Sequence, residues 1–333
     1  MINSVKKTTA LVFATVFLFT LASMSRVASA ASEKWRPKHP IRLVVAGSAG
    51  GAFSIVSRLL APTFKEVLGQ PLVLDNRGGR GGTIAGAIVV RAKPDGHTIL
   101  ITNGLLLTVR PQLHKMPFKV KELAPISTLV RGQYMLVLHP SVKANNLKEF
   151  IALARSKPAG HFNYAATGVG APTHLAPALL SVRAGIKMTN IPYKGGAKAA
   201  KAALSGEVHM TFVSLVSAVP FVKAGRLKGL AVSGPVRASI APDIPTVAEM
   251  GYPGFDVSAW FGMFAPAKTP KRALEALADA FAKGLQKPDV KKAITKLGYA
   301  IYFNRTSDVA NLIRDETKMW GKAIKAANIK PNK

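Results

Sequence analysis

The sequence predicts an α/β protein of two lobes, each built around a largely parallel sheet. Three observations carry this expectation. Short β-branched runs alternate with amphipathic helical stretches along the chain, the pattern of repeated β-loop-α-β units. Loops of small residues recur where strands pass into helices. The 333 residues also exceed one typical domain of about 100–200, yet no Pro/Ser-rich linker divides them. Without a linker, the crossing between domains is expected on ordered strands.

Each element follows from its residues. Ile41-Arg42-Leu43-Val44-Val45 reads as a buried strand that breaks at the small-residue loop 47–51. A helix over 53–68 carries Ile55, Val56, Leu59, Leu60, Phe64, Val67 and Leu68 at helical spacing. Gly69 is its C-cap candidate and Pro71 its stop. Pro62 inside it is expected to kink or restart the helix. A strand over 71–75, a glycine loop around Arg80, a helix over 84–91 and a strand over 97–102 follow.

The middle repeats the pattern. Strands are expected at 134–138, 162–165, 188–191, 208–212 and 227–232. Helices are expected at 147–156, capped near Asn146, and at 173–184 and 197–205. A long aromatic strand over 257–264 precedes helices at 271–286, 289–297 and 306–327. The continuous apolar runs at 134–138 and 257–264 are the expected crossovers. This gives a first domain of 34–133 and 258–333, discontinuous in sequence, and a second domain of 134–257.

The amino terminus reads as a secretory leader over 1–30. Lys6 and Lys7 precede the apolar run 11–22, and Ala28-Ser29-Ala30 supplies a cleavage site after Ala30. The run is too short to span a bilayer, which needs about 20 residues. Export to the periplasm is expected. The leader holds three cations and no acid, so its removal leaves +27 of the chain's +30. The cations form no run of five and aromatics are only 7%, which argues against nucleic acid. The excess biases the surface toward anions.

Composition removes several chemistries. With no cysteine there is no disulfide, thiolate metal site or cysteine nucleophile. G-x-S-x-G, H-E-x-x-H and G-x-x-x-x-G-K-[ST] are absent. Gly168 to Thr173 only approaches G-x-G-x-x-G, and no two histidines lie within five residues. No catalytic residue, metal site or cofactor is expected, and the chain does not read as an enzyme. What remains is a set of loops at 47–51, 78–82, 102–104, 167–173 and 193–196. At the carboxyl ends of strands, free backbone N–H groups and helix dipoles attract anions. Together the loops suggest an anion cleft between two lobes.

These residues resemble the Bug family, the periplasmic substrate-binding receptors of tripartite tricarboxylate transporters. The resemblance runs from about Pro40 to Pro331. It rests on Pro40-Ile-Arg-Leu-Val-Val, Ala49-Gly-Gly51, Asp75-Asn-Arg-Gly, Gly81-Gly82, Pro94-Asp-Gly96 and Thr102-Asn103-Gly104. It continues in Tyr164-Ala, Gly168-x-Gly170, His174-Leu175, Pro192-Tyr-Lys-Gly-Gly196, Pro245-Thr-Val-Ala-Glu249, Trp260-Phe-Gly and Phe264-Ala-Pro266.

The resemblance implies a periplasmic-binding-protein (Venus flytrap) fold, with two Rossmann-like domains joined by crossover strands. It implies closure on a small carboxylate held by backbone amides, hydroxyls and water rather than by an arginine clamp. By position, Ser48, Ala49 and Gly50 would line the first-lobe floor. Thr167, Gly168, Gly170, Thr173 and His174 would face them, with Asn103 and Tyr193 at the sides. Three departures stand out: Ser54 and Val213-Ser214 where the family commonly has acids, and Ala46-Gly47 where it has Pro-Phe. Losing two acids near the cleft would disfavour ammonium-bearing ligands and favour simple mono- or dicarboxylates. An apolar Val213 could also mean a hydrophobic ligand body.

The expected function is therefore an exported, monomeric solute-binding protein delivering a small organic anion to the membrane subunits of a tripartite tricarboxylate-type transporter. A receptor feeding a membrane signalling partner is the alternative. A cationic polyanion- or surface-binding protein is the third reading.

Overall fold

β1 (Ile41–Val45) is buried at four of its five positions. It lies between β2 (Leu72–Asn76) and β3 (Thr98–Asn103) and runs parallel to both. A strand covered on both faces needs such an apolar run. α1 (Ala52–Leu68) and α2 (Thr83–Val90) make the crossovers. The computed structural model describes residues 35–330, so the expected leader over 1–30 lies outside the described residues.

α1 ends as its sequence predicts. Gly69 is left-handed (φ 75) and donates its N–H to Lys65, a conformation glycine adopts without steric cost. The helix does not restart at Pro62, and α1 is one helix through that position. Pro62 faces solvent, while Leu60 and Phe64 are fully buried on the other side. Phe64 packs edge-on to Phe281 at 4.6 Å, and a side chain at Gly284 would meet Leu60 at 2.8 Å. Tertiary burial of one face outweighs one missing backbone hydrogen bond.

Two short helices follow, α3 (Leu105–Thr108) and α4 (Arg110–Leu113), then β4 (Leu123–Gly132). β4 was not expected, because Pro125, Ser127 and Thr128 interrupt its apolar pattern. Pro125 pairs with Phe264 beside a register shift, where a missing N–H is tolerated. Ser127 and Thr128 are fully buried. Thr128 forms hydrogen bonds with Tyr302 and Asn304.

A single residue, Gln133, separates β4 from β5 (Tyr134–Leu138), which belongs to the second sheet. That sheet continues through α5 (Leu147–Arg155), β6 (Asn163–Ala166), α6 (Pro172–Ala184), β7 (Thr189–Pro192) and α7 (Gly196–Ser205). β8 (Met210–Ser214), α8 (Leu215–Lys223) and β9 (Lys228–Val232) complete it. Asn146 caps α5 as expected, accepting the Glu149 N–H at 2.9 Å. The strand order is β7-β6-β8-β5-β9.

The chain returns along β10 (Ala259–Pro266), buried at every position. α9 (Lys271–Gln286), α10 (Pro288–Lys296), β11 (Tyr299–Ile301) and α11 (Thr306–Ala326) follow. The first sheet reads β11-β4-β10-β3-β1-β2. Strands 41–132 and 259–301 thus build one sheet and strands 134–232 the other.

Both sheets are mixed rather than largely parallel. The β-α-β units give parallel pairs, but β10 runs antiparallel to β3 and β4, and β5 antiparallel to β8 and β9. These are the strands that lead between the sheets.

Ser233, fully buried, joins the two passages between the sheets. Its Oγ accepts the Tyr134 N–H at 3.0 Å and donates to the Val257 carbonyl at 2.9 Å. Its own N–H and C=O bond to Tyr134 and Val257. α11 forms a second link. Val309 belongs to the core that contains Val44, Leu100 and Phe264. Trp320 belongs to the core that contains Leu175, Leu179 and Phe255. Eleven residues make three turns, so both side chains lie on one helix face.

Candidate anion-binding cleft

The turn between β6 and α6 is held from behind. Thr173 Oγ1 accepts the Thr167 N–H at 2.9 Å and pairs with the Thr167 hydroxyl at 2.8 Å. His174 Nδ1 accepts the Gly170 N–H at 3.4 Å. Burial pushes the His174 imidazole below its usual range, which favours the neutral ring this acceptor role needs. Gly168 (φ 143) and Gly170 (φ 78) supply positive φ angles that side chains disfavour. Pro172 opens α6 and no acid lies in its first turn. The helix therefore presents its positive end without a local counter-charge.

This turn meets the first-lobe segment after β3. A side chain at Gly170 would touch Leu113 at 3.0 Å and Val109 at 3.1 Å. Leu105, Val109 and Leu113, four residues apart, join the second-lobe core, while Leu106 and Leu107 join the first-lobe core. α3 and α4 are thus wedged between the two cores by the period of their own sequence. Asn103 Oδ1 accepts the Leu106 N–H at 3.1 Å and starts that segment.

Between them lies a cavity of about 290 Å³. It gathers Asn103, Thr167, Gly168 and Gly170 from the expected set. Thr173 and His174 stand behind its wall and shape the turn. Ser48, Ala49 and Gly50 are exposed and do not line it. Their loop is tied by Gly51 N–H to Ser48 C=O at 3.1 Å and by Asn76 to Gly47 C=O at 3.3 Å. Tyr193 also lies outside the wall. Its hydroxyl donates to Glu207 at 2.6 Å, and burial together with that carboxylate pushes its pKa up to about 12.

Sequence reasoning missed the two ionisable residues in this wall, Arg110 and His114, and the leucines and valine beside them. Their signal was the i, i+4 spacing that also relates Leu105, Val109 and Leu113. Arg110 is half-buried, and burial disfavours its charged form. His114 is pulled below its usual range by burial and by the Arg110 charge. Arg110 thus lines this cavity, a cation that the sequence reading did not place there.

A second cavity, of about 210 Å³, lies where β4 passes into β5. Tyr134, Ser214, Ser217 and Tyr299 supply its hydroxyls. Ser214 is exposed there, but Val213 is buried in the second-lobe core. Val213 therefore offers no surface for a ligand body. Ser54 is fully buried in α1 and lines neither cavity.

Among the described residues, His39, Asp95 and His97 are a group close enough to share an ion. The two imidazoles are stacked with centroids 3.7 Å apart and planes within 28°. Ring lone pairs lie in the ring planes, so nearly parallel stacked rings do not converge on one cation.

The chain matches the family model described as "Tripartite tricarboxylate transporter family receptor" over residues 56–329. A curated relative from Pseudomonas sp. (strain P51), "UPF0065 protein in tcbD-tcbE intergenic region", is 33% identical over 290 residues, 86% of each chain. Two solved structures share the fold. "R. palustris Rpa4515 with adipate" has a TM-score of 0.75 and 29% identity, covering 89% of this chain and 99% of that one. Periplasmic binding protein BugD has a TM-score of 0.72 and 30% identity, covering 89% and 100%.

Proposed function

This chain belongs to the tripartite tricarboxylate transporter receptor family, and we propose that it is a periplasmic solute-binding protein that captures a small organic carboxylate. The observation carrying this reading is the 290 Å³ cavity between the turn at α6 and the segment after β3. Its wall combines a helix positive end, the Thr167 hydroxyl, glycine backbone and a cation, and no acid among the described residues. The adipate held by the similar R. palustris protein supports the same ligand class.

In this reading the lobes are 34–133 with 258–333, and 134–257. The turn residues Thr167, Gly168 and Gly170 contact the carboxylate, with Asn103 opposite. Thr173 and His174 position them. Ser48, Ala49, Gly50 and Tyr193 reach the ligand only after further closure. Because a closed state touches ligand from both lobes, ligand shifts the population toward it. The Ser233 junction and the two strand passages are where rotation is absorbed. The closed receptor is then presented to the membrane subunits of a transporter, and no bond in the ligand is broken.

The test is a thermal-shift screen of the exported protein against mono-, di- and tricarboxylates, amino acids and neutral isosteres, at low and high salt. Ligand at a hundredfold its Kd stabilises by about 2.7 kcal/mol. A rise in Tm from one narrow carboxylate class that persists at high salt is expected, with the ligand recovered unaltered by mass. Shifts from polyanions alone that vanish with salt would replace this reading with a diffuse charged surface.

A further inference from the structure

Among the described residues, Arg110 has no partner for its charge. Its side chain forms no hydrogen bond and no ion pair among the described residues, and its buried Nε is left without an acceptor. A half-buried guanidinium in this state carries a desolvation cost that only an anion offsets well. The fold nonetheless makes room for it. Gly81 is left-handed (φ 61), and a side chain there would meet Arg110 Nη1 at 2.6 Å.

The cavity therefore has two poles. Gly170 and the α6 turn lie against Val109 and Leu113, whereas Arg110 extends toward Gly81. Apolar Leu105, Val109 and Leu113 line the stretch they share. His114 sits one helical turn beyond Arg110, its basicity lowered by burial and by that neighbour. It adds a neutral hydrogen-bonding group rather than a second cation.

We infer that Arg110 is the ion-pair partner of a second anionic group on the ligand, so that this receptor selects dianions over monoanions of the same length. The inference rests on the carboxylate-receptor reading above. One carboxylate sits at the α6 turn, an apolar spacer lies along Val109 and Leu113, and the second carboxylate meets the planar guanidinium. A guanidinium fork matches a carboxylate with two parallel hydrogen bonds, which a lysine ammonium does not reproduce.

The experiment is calorimetric titration of the full exported protein with straight-chain dicarboxylates and the half-amide of each, at low and high salt. The half-amide keeps length and shape and removes one charge. The best dicarboxylate is expected to bind about 10- to 100-fold more tightly than its half-amide, the range of a charge-assisted hydrogen bond. That ratio persists at high salt. In Arg110→Gln it collapses toward unity, and in Arg110→Lys it is partly restored.

A wild-type protein that binds both forms equally overturns the inference, whether or not the variants fold. So does a ratio that disappears in salt, or one that Arg110→Gln retains. If no carboxylate or half-amide binds, the receptor reading itself fails, and the inference falls with it.

Discussion

The indole N–H of Trp260 donates to Glu316 Oε1 at 2.8 Å, joining the returning strand β10 to the helix α11 that touches both cores. Burial pushes the Glu316 carboxyl up to about 7, Asp256 adds to the shift, and the Trp260 bond and Arg131 oppose it. Between 4.5 and about 7 the folded protein keeps a proton that the unfolded chain has released. Stability from this group is full below about 4.5 and is lost as pH rises through about 7. Tm measured from pH 5 to 8 should therefore fall by a few degrees more in the wild type than in Glu316→Gln. Gln keeps an acceptor for Trp260 and does not titrate. Parallel profiles for the two proteins would refute this.

Gly104 lies against the same indole. A side chain there would overlap Trp260 Cε2 and Cζ2, while the Gly104 N–H donates to the Trp260 carbonyl at 3.0 Å. Gly104→Ala should cost about 1–3 kcal/mol by overpacking. Trp260→Phe removes the overlapped atoms, so the double variant should be less destabilised than the sum of the singles. Urea denaturation of the four proteins checks this, and strict additivity would exclude the contact as the cause.

Ser233 serves both passages between the sheets with one hydroxyl. Ser233→Ala leaves the buried Val257 carbonyl and Tyr134 N–H each short of a partner, at a cost of about 1–3 kcal/mol. A change within the scatter of the denaturation midpoint would show that the backbone bonds alone hold the junction.

In the proposed site, Thr173 would act on the ligand through the turn it organises. Thr173→Val keeps the shape and removes the acceptor of the Thr167 N–H. Carboxylate affinity should drop about 10-fold, the weight of one such hydrogen bond. Titration calorimetry reads the affinity. An unchanged Kd would mean the turn is held by Gly168, Gly170 and the α6 start without Thr173.

Much of the fold was legible because local pattern and burial agree. The runs at 41–45 and 134–138 and the helix Lys271–Gln286 carry their period openly. β4 was hidden because its buried Thr128 finds its partners at Tyr302 and Asn304, about 175 positions away. Pro62 misled because a proline's local cost says nothing of the Phe64–Phe281 contact that outweighs it. In the site, the turn residues announced themselves through glycine and threonine. Arg110 did not, since in a chain with 46 cations one more arginine carries no signal.

The sequence by itself determined the α/β class, the order of most elements and the small-residue loops at strand ends. Hydrophobic period, glycine and proline act over a few residues and need no partner to be read. Only the tertiary structure decided that β4 and β5 form one passage, that α11 touches both cores and that Arg110 stands in the cavity without a counter-charge among the described residues. Those outcomes depend on desolvation and on contacts between distant segments, which exist only once the chain has packed.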